Sequence, residues 1–190
     1  MKQCELGWLF PPLPLPSTDT PFNLNFPKLH VAFRFGAEQS DKLRACDDLR
    51  HAETNLACVV ETPINPVSRD HLVAASNLVS KKDQNWAMFK ADHEAAYKRL
   101  PVAPEHAKLS VIALRSPPGK RWYGFITRTL VFGAIAAVLL FNVFSRLLRG
   151  LFTQLFGISL LCFFDDFGAL VPLCISEEAL QTFALFFAKL

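Results

Sequence analysis

The sequence predicts an α+β fold, and three observations carry that expectation. Short runs with strand-like alternation or continuous apolarity recur at 31–35, 86–92, 109–114 and 121–126. Turn chemistry joins two pairs of runs: SPPGK lies between residues 114 and 121, and Asp165 with Asp166 lies between ISLLCFF and FGALV. Helical spacing or an unbroken apolar stretch marks 69–80, about 130–148 and the segment from Ser176 onward.

Taken in order, residues 1–21 hold Pro11, Pro12, Pro14, Pro16 and Pro21, so the leader to about residue 27 is expected to be extended, as a linker or a surface-hugging arm. The same prolines interrupt any signal-peptide core. A single folded segment is expected over 28–190, opening with the strand VAFRF at 31–35 and the polar stretch DKLRACDDLR at 41–50. Leu72, Val73, Ser76 and Val79 then recur at helical spacing behind Ser68 as a cap. WAMFKAD at 86–92 reads as a strand closed by Asp92, and LSVIAL and RWYGFI form a hairpin. An apolar helix from about Leu130 to Leu148 is expected to stop before Gly150. Two apolar strands at 158–164 and 167–171 leave Asp165 and Asp166 as a two-residue loop. Ser176 is placed to cap a last helix, whose first turn carries Glu177 and Glu178 at the positive end of its dipole.

With 190 residues, 51% of them hydrophobic and 19% charged, the chain has the material for one core and is far from a disordered composition. A net charge of +3 permits a polyanionic partner without arguing for one. The five cysteines, Cys4, Cys46, Cys58, Cys162 and Cys174, contain no C-x-x-C pair, so a reducing, intracellular compartment is expected rather than a disulfide framework or a zinc site. Between Arg128 and Arg146 lie 17 residues that include Thr129, Asn142 and Ser145, short of the roughly 20 apolar residues a membrane span takes. A helix buried against a sheet, with no membrane partner, is the expectation.

Asp165 and Asp166 are flanked on both sides by apolar strand residues, and Asp92 closes another strand. If those strands are neighbours, three carboxylates converge where a divalent cation relieves their repulsion. Two acids at a turn are also ordinary turn chemistry, and spacing alone does not establish the adjacency. HEAAY at 93–97 is half of a zinc-protease motif, but Tyr97 stands where the second histidine would be needed.

ADHEAAYKRLPV, RTLVFGAIAAVLLFNVFSRLL and CFFDDF, in this order, resemble motifs A, B and C of reverse transcriptases, and DKLRACDDLRHAETN resembles the fingers segment of the same family. The likeness is to enzymes of eukaryotic retrotransposons and covers roughly residues 28–190. It implies a polymerase palm, an antiparallel sheet backed by helices, with part of the fingers. Asp92, Asp165 and Asp166 match the ligands of two catalytic Mg²⁺ ions, with Mn²⁺ as an alternative. Tyr97 matches the steric gate against a ribose 2′-hydroxyl, Phe132 and Gly133 match the motif B turn at the nucleotide, and Phe164 matches the residue beside the primer terminus. Lys42 and Arg44 match triphosphate-binding residues of the fingers, although alone they also read as a solvated charge cluster. Asp47 and Asp48 are expected to pair with Arg44 or Arg50.

The implied reaction is RNA-directed DNA synthesis, and the implied partners are deoxynucleoside triphosphates and an RNA or DNA template with its primer. Thumb and RNase H regions of a longer polyprotein are implied as well, since the chain ends soon after motif C and Lys189 comes too early for the family's later lysine. The implied location is cytoplasm or nucleus. The alternative expectation is a catalytically inactive remnant that keeps the palm but does not grip primer and template.

Overall fold

The computed structural model describes residues 2–14, 30–39, 42–61, 64, 69–80, 85–116 and 121–188. In chain order these form α1 (Lys2–Glu5), β1 (Leu13–Pro14), β2 (Val31–Gln39), β3 (Lys42–Asp47), α2 (Arg69–Val79), β4 (Trp86–Asp92), β5 (Val111–Arg115), β6 (Trp122–Ile126), α3 (Ile135–Phe156), β7 (Leu160–Phe163), β8 (Asp166–Pro172) and α4 (Ser176–Ala188). The fold is α+β, with one mixed and one antiparallel sheet. The expected cap Ser68, the turn residues 117–120 and leader residues 15–27 lie outside the described residues. Two compact units result, one of residues 1–61 and 95–138, the other of 62–94 and 139–190.

The first unit holds a five-stranded sheet in the order β1-β6-β5-β2-β3, in which only β2 and β5 run parallel. Val111, Ile112 and Ala113 are buried consecutively, as a central strand covered on both faces requires. Residues 2–14 join this unit: the Phe10 amide donates to Ile126 O at 3.0 Å, and Leu9 is buried with Ile112 and Phe125. The first strand runs on past Phe35 to Gln39, because the polar stretch beyond it supplies a partner strand, β3. Asp47 bonds to Arg34, through Nε at 2.7 Å and Nη2 at 2.9 Å, and not to Arg44 or Arg50. The register explains this, since Arg34 lies opposite Asp47 while Arg44 lies opposite Ala37, on the other face of its strand. Asp48 accepts instead from the His51 amide in the following turn.

The second unit is built on the antiparallel sheet β4-β8-β7. Along β8 burial alternates strictly, with Phe167, Ala169 and Val171 buried. These pack with Phe89, Leu160 and Cys162 against Phe152 of α3 and Ala179 and Phe183 of α4. Phe152, Phe183, Phe186 and Phe187 tile that interface with ring centroids 4.2–5.9 Å apart among themselves and against Phe167. Full burial of one such ring contributes roughly 1.5–3 kcal/mol.

The long helix is displaced from its expected span: it begins at Ile135 and ends at Phe156, so Gly150 lies inside it. Phe141, Ser145, Leu148 and Phe152 are buried at helical spacing across Gly150, and packing of Phe152 offsets the roughly 1 kcal/mol that a helical glycine costs. Gly157, at φ +68°, provides the stop. α3 has 22 residues and contains an 18-residue window of mean hydropathy 1.7; by length and composition it is long and apolar enough to cross a membrane, and a third of that window is buried within the protein. α4 starts at Ser176 as expected, but Ser176 is already helical and its hydroxyl donates back to Leu173 O at 3.0 Å instead of capping the helix.

Candidate functional site

In the second unit, β4 and β8 pair from Trp86 opposite Pro172 to Asp92 opposite Asp166. Phe167, Ala169 and Val171 face the helices, so period-2 alternation puts Asp166 on the open face together with Asp92. The hairpin differs from expectation by one residue. Phe163 pairs with Asp166, so the loop is Phe164 and Asp165, and Asp166 belongs to the strand. Phe164 takes the positive φ, +54°, that a tight two-residue hairpin demands at its first position. A non-glycine residue there stores strain of roughly 1–3 kcal/mol. The Cys162 thiol donates to the Phe164 carbonyl at 3.5 Å, and burial pushes that thiol up from 9.0, so it keeps its proton.

The two acidic segments are tied together by the His93 amide, which donates to Asp165 O at 3.0 Å. The ring of His93 lies 5.9 Å from that of Phe141 and 5.7 Å from that of Phe187, which anchors the end of β4 to both helices. Asp92, Asp165 and Asp166 are therefore neighbours through their backbones. Their side chains do not close on one point, and among the described residues no three His, Cys, Asp or Glu side chains form a metal-holding group. Asp166 Oδ1 instead meets Lys90 Nζ at 3.0 Å, in an ion pair whose partners are 39% and 67% exposed. Such a pair is worth about 0–1 kcal/mol, so a divalent cation competes with it at little cost. Two carboxylates directly opposite on one sheet face repel each other, and their oxygens suit a hard cation such as Mg²⁺ or Mn²⁺. Carboxylate oxygen is the donor type the implied ions take, and it is the chemistry of the donors, not their convergence, that suits them. Beside Asp166, a cavity of about 430 Å³ is lined by Leu72, Met88, Lys90, Leu161, Phe163 and Gly168.

In the first unit, Tyr97 lies in the 3₁₀ turn Ala96–Arg99 and meets Phe132 edge-on at 5.7 Å. Phe132 is 62% exposed, and Gly133 beside it has φ +99°, open only to glycine. A Cβ at Gly133 would stand 3.6 Å from Asp47 O and 3.8 Å from Leu49 Cδ1, so the turn rests on the end of β3 and the segment just after it. Lys42 and Arg44 occupy alternate positions of β3. Arg44 is exposed, and the side chain of Lys42 lies outside the described residues. Burial holds the amine of Lys98 below 10.5, with Asp47 opposing the shift and Arg34 adding to it.

Tyr97, Phe132 and Gly133 are thus grouped within the first unit, and Asp92, Phe164, Asp165 and Asp166 within the second. Lys90, His93 and Gly168 also border this candidate site, through the ion pair to Asp166, the bond to Asp165 O and the cavity wall. Lys90 was accessible to strand logic, two positions before Asp92 on the same face. No protein-family model matches the chain, and no curated protein matches it.

Proposed function

We propose that the chain is the fingers and palm part of an RNA-directed DNA polymerase of retrotransposon type. It would direct attack of a primer 3′-hydroxyl on the α-phosphate of a templated deoxynucleoside triphosphate, with pyrophosphate leaving. The observation that best supports this reading is Asp92 opposite Asp166 on an open sheet face, with Asp165 in the adjoining hairpin. Asp92, Asp165 and Asp166 would hold two Mg²⁺ ions, which when bound lower the barrier by stabilising charge on the attacking and leaving oxygens. Tyr97 would exclude a 2′-hydroxyl, Gly133 would let the backbone approach the nucleotide, Phe164 would lie beside the primer terminus, and Lys42 and Arg44 would bind phosphates. Mn²⁺ titration followed by electron paramagnetic resonance tests the reading. Saturable binding that weakens at least tenfold in both Asp92→Asn and Asp166→Asn supports it, and binding indifferent to both refutes it.

A second reading, a non-catalytic remnant, is favoured by the Lys90–Asp166 pair, which neutralises one of the three acids. Mn²⁺ binding with no primer extension on a primed RNA, in the wild type and in Lys90→Met alike, would select it.

A further inference from the structure

Residues 131–135, which carry Phe132 and Gly133, are held by a side chain far away in sequence. Asn55 Nδ2 donates to Gly133 O at 3.1 Å, and Asn55 Oδ1 accepts from the Ile135 amide at 2.9 Å. One carboxamide thus spans the turn and satisfies an N-terminal amide of α3, which has no partner within the helix. Asn55 is itself fixed in the loop after β3, where its amide meets Leu49 O at 3.4 Å and its carbonyl accepts from the Cys58 amide at 3.4 Å. Leu49, whose carbonyl accepts from the Asn55 amide, is buried with Ala32 and Val131, which ties the anchor to the core. The edge contact between Phe132 and Tyr97 is built directly on this turn.

We propose that Asn55 is the positioning residue of the Phe132–Gly133 turn, and that its carboxamide sets the discrimination between deoxyribose and ribose that Tyr97 and Phe132 exert. This rests on the polymerase reading above, whereas the clamp itself does not. A carboxamide is the group required here, because one prong must donate and the other accept. Aspartate keeps the acceptor for Ile135 and loses the donor for Gly133. Alanine loses both.

The experiment measures amide hydrogen exchange over 131–138 in the wild type, Asn55→Asp and Asn55→Ala, with the affinities of dUTP and UTP, which differ only in the 2′-hydroxyl, in the presence of Mn²⁺. Loss of a helix cap of this kind corresponds to roughly tenfold faster exchange, so Asn55→Ala should reach about tenfold and Asn55→Asp fall between it and the wild type. The dUTP-to-UTP affinity ratio should fall at least threefold in Asn55→Ala and recover partly in Asn55→Asp. Exchange over 86–92 should stay unchanged, which separates loss of the clamp from global unfolding. Unchanged exchange over 131–138 overturns the clamp. Faster exchange with an unchanged ratio leaves Asn55 as a helix cap and overturns its role in discrimination. A wild type that binds neither nucleotide, yet shows the exchange response, refutes the polymerase reading and keeps the clamp.

Discussion

Gly133→Ala and Gly150→Ala should change stability in opposite directions, although neither adds a clash. At Gly133 the nearest atoms to a new Cβ are 3.6 and 3.8 Å away, ordinary van der Waals distances, so the cost comes from φ +99° alone. Forcing alanine into that region costs about 1–3 kcal/mol. At Gly150 nothing lies within 4 Å of a new Cβ and the residue is inside α3, so alanine should stabilise by about 1 kcal/mol. In a chain of 190 residues each kcal/mol moves the melting temperature by about 2–4 °C. Gly133→Ala should therefore melt roughly 2–12 °C lower, and Gly150→Ala about 2–4 °C higher. Circular dichroism at 222 nm against temperature measures both, and urea titration checks that the slope with denaturant is unchanged. A Gly150→Ala variant destabilised like Gly133→Ala would place the helix end at Gly150 and refute the continuous α3.

Three further outcomes are expected. Lys90→Met should bind Mn²⁺ about two- to fivefold more tightly, because an exposed ion pair worth up to about 1 kcal/mol no longer occupies Asp166; isothermal titration checks this. On the proposed polymerase reading, Tyr97→Val, measured in a preparation that extends a primer, should raise ribonucleotide over deoxynucleotide incorporation by about 10- to 200-fold in kcat/KM, and an unchanged ratio would leave Tyr97 as packing against Phe132. Stability should depend on pH through Lys98 and Cys162 with opposite signs. The unfolded chain binds the Lys98 proton more tightly, so stability rises with pH between the depressed folded value and 10.5, and Lys98→Met should flatten that rise. The folded chain holds the Cys162 proton more tightly, so stability falls as pH rises beyond 9.0, and Cys162→Ala should remove that fall in urea titrations at stepped pH.

Element types were legible wherever the residues face a single environment. WAMFKAD becomes β4 with the expected bounds, and the apolar runs at 109–114 and 121–126 become paired strands, because their patterns match a pleated surface directly. Bounds that depend on distant packing were not legible. Gly150 reads as a stop in isolation, and Phe152 and Phe156, packed against Phe183 and Phe186, carry the helix beyond it. The N-terminal prolines signal an arm without saying that Leu9 completes a core with Ile112 and Phe125. Arg34 as the partner of Asp47 needs the register of β2 on β3, which no local pattern contains.

The acidic hairpin shows how much a one-residue shift matters. Reading Asp165 and Asp166 together as the loop leaves both acids without a fixed face. The buried set Phe167, Ala169 and Val171 decides otherwise, because a strand whose odd positions fill the core must put its even positions on the other side. Asp166 is one of those even positions, and slipping the strand by one residue would drive its charge into the phenylalanine cluster around Phe152 and Phe183. The alternation that places Asp166 opposite Asp92 was therefore present in DFGALVP all along. What it could not provide is the backbone of Phe164, whose positive φ lets Phe163 and Asp166 pair directly and leaves Asp165 alone in the turn, next to the amide of His93. The strain at Phe164 and the opposed charges of Asp92 and Asp166 both oppose folding, and the aromatic core beneath them supplies the stability that offsets both.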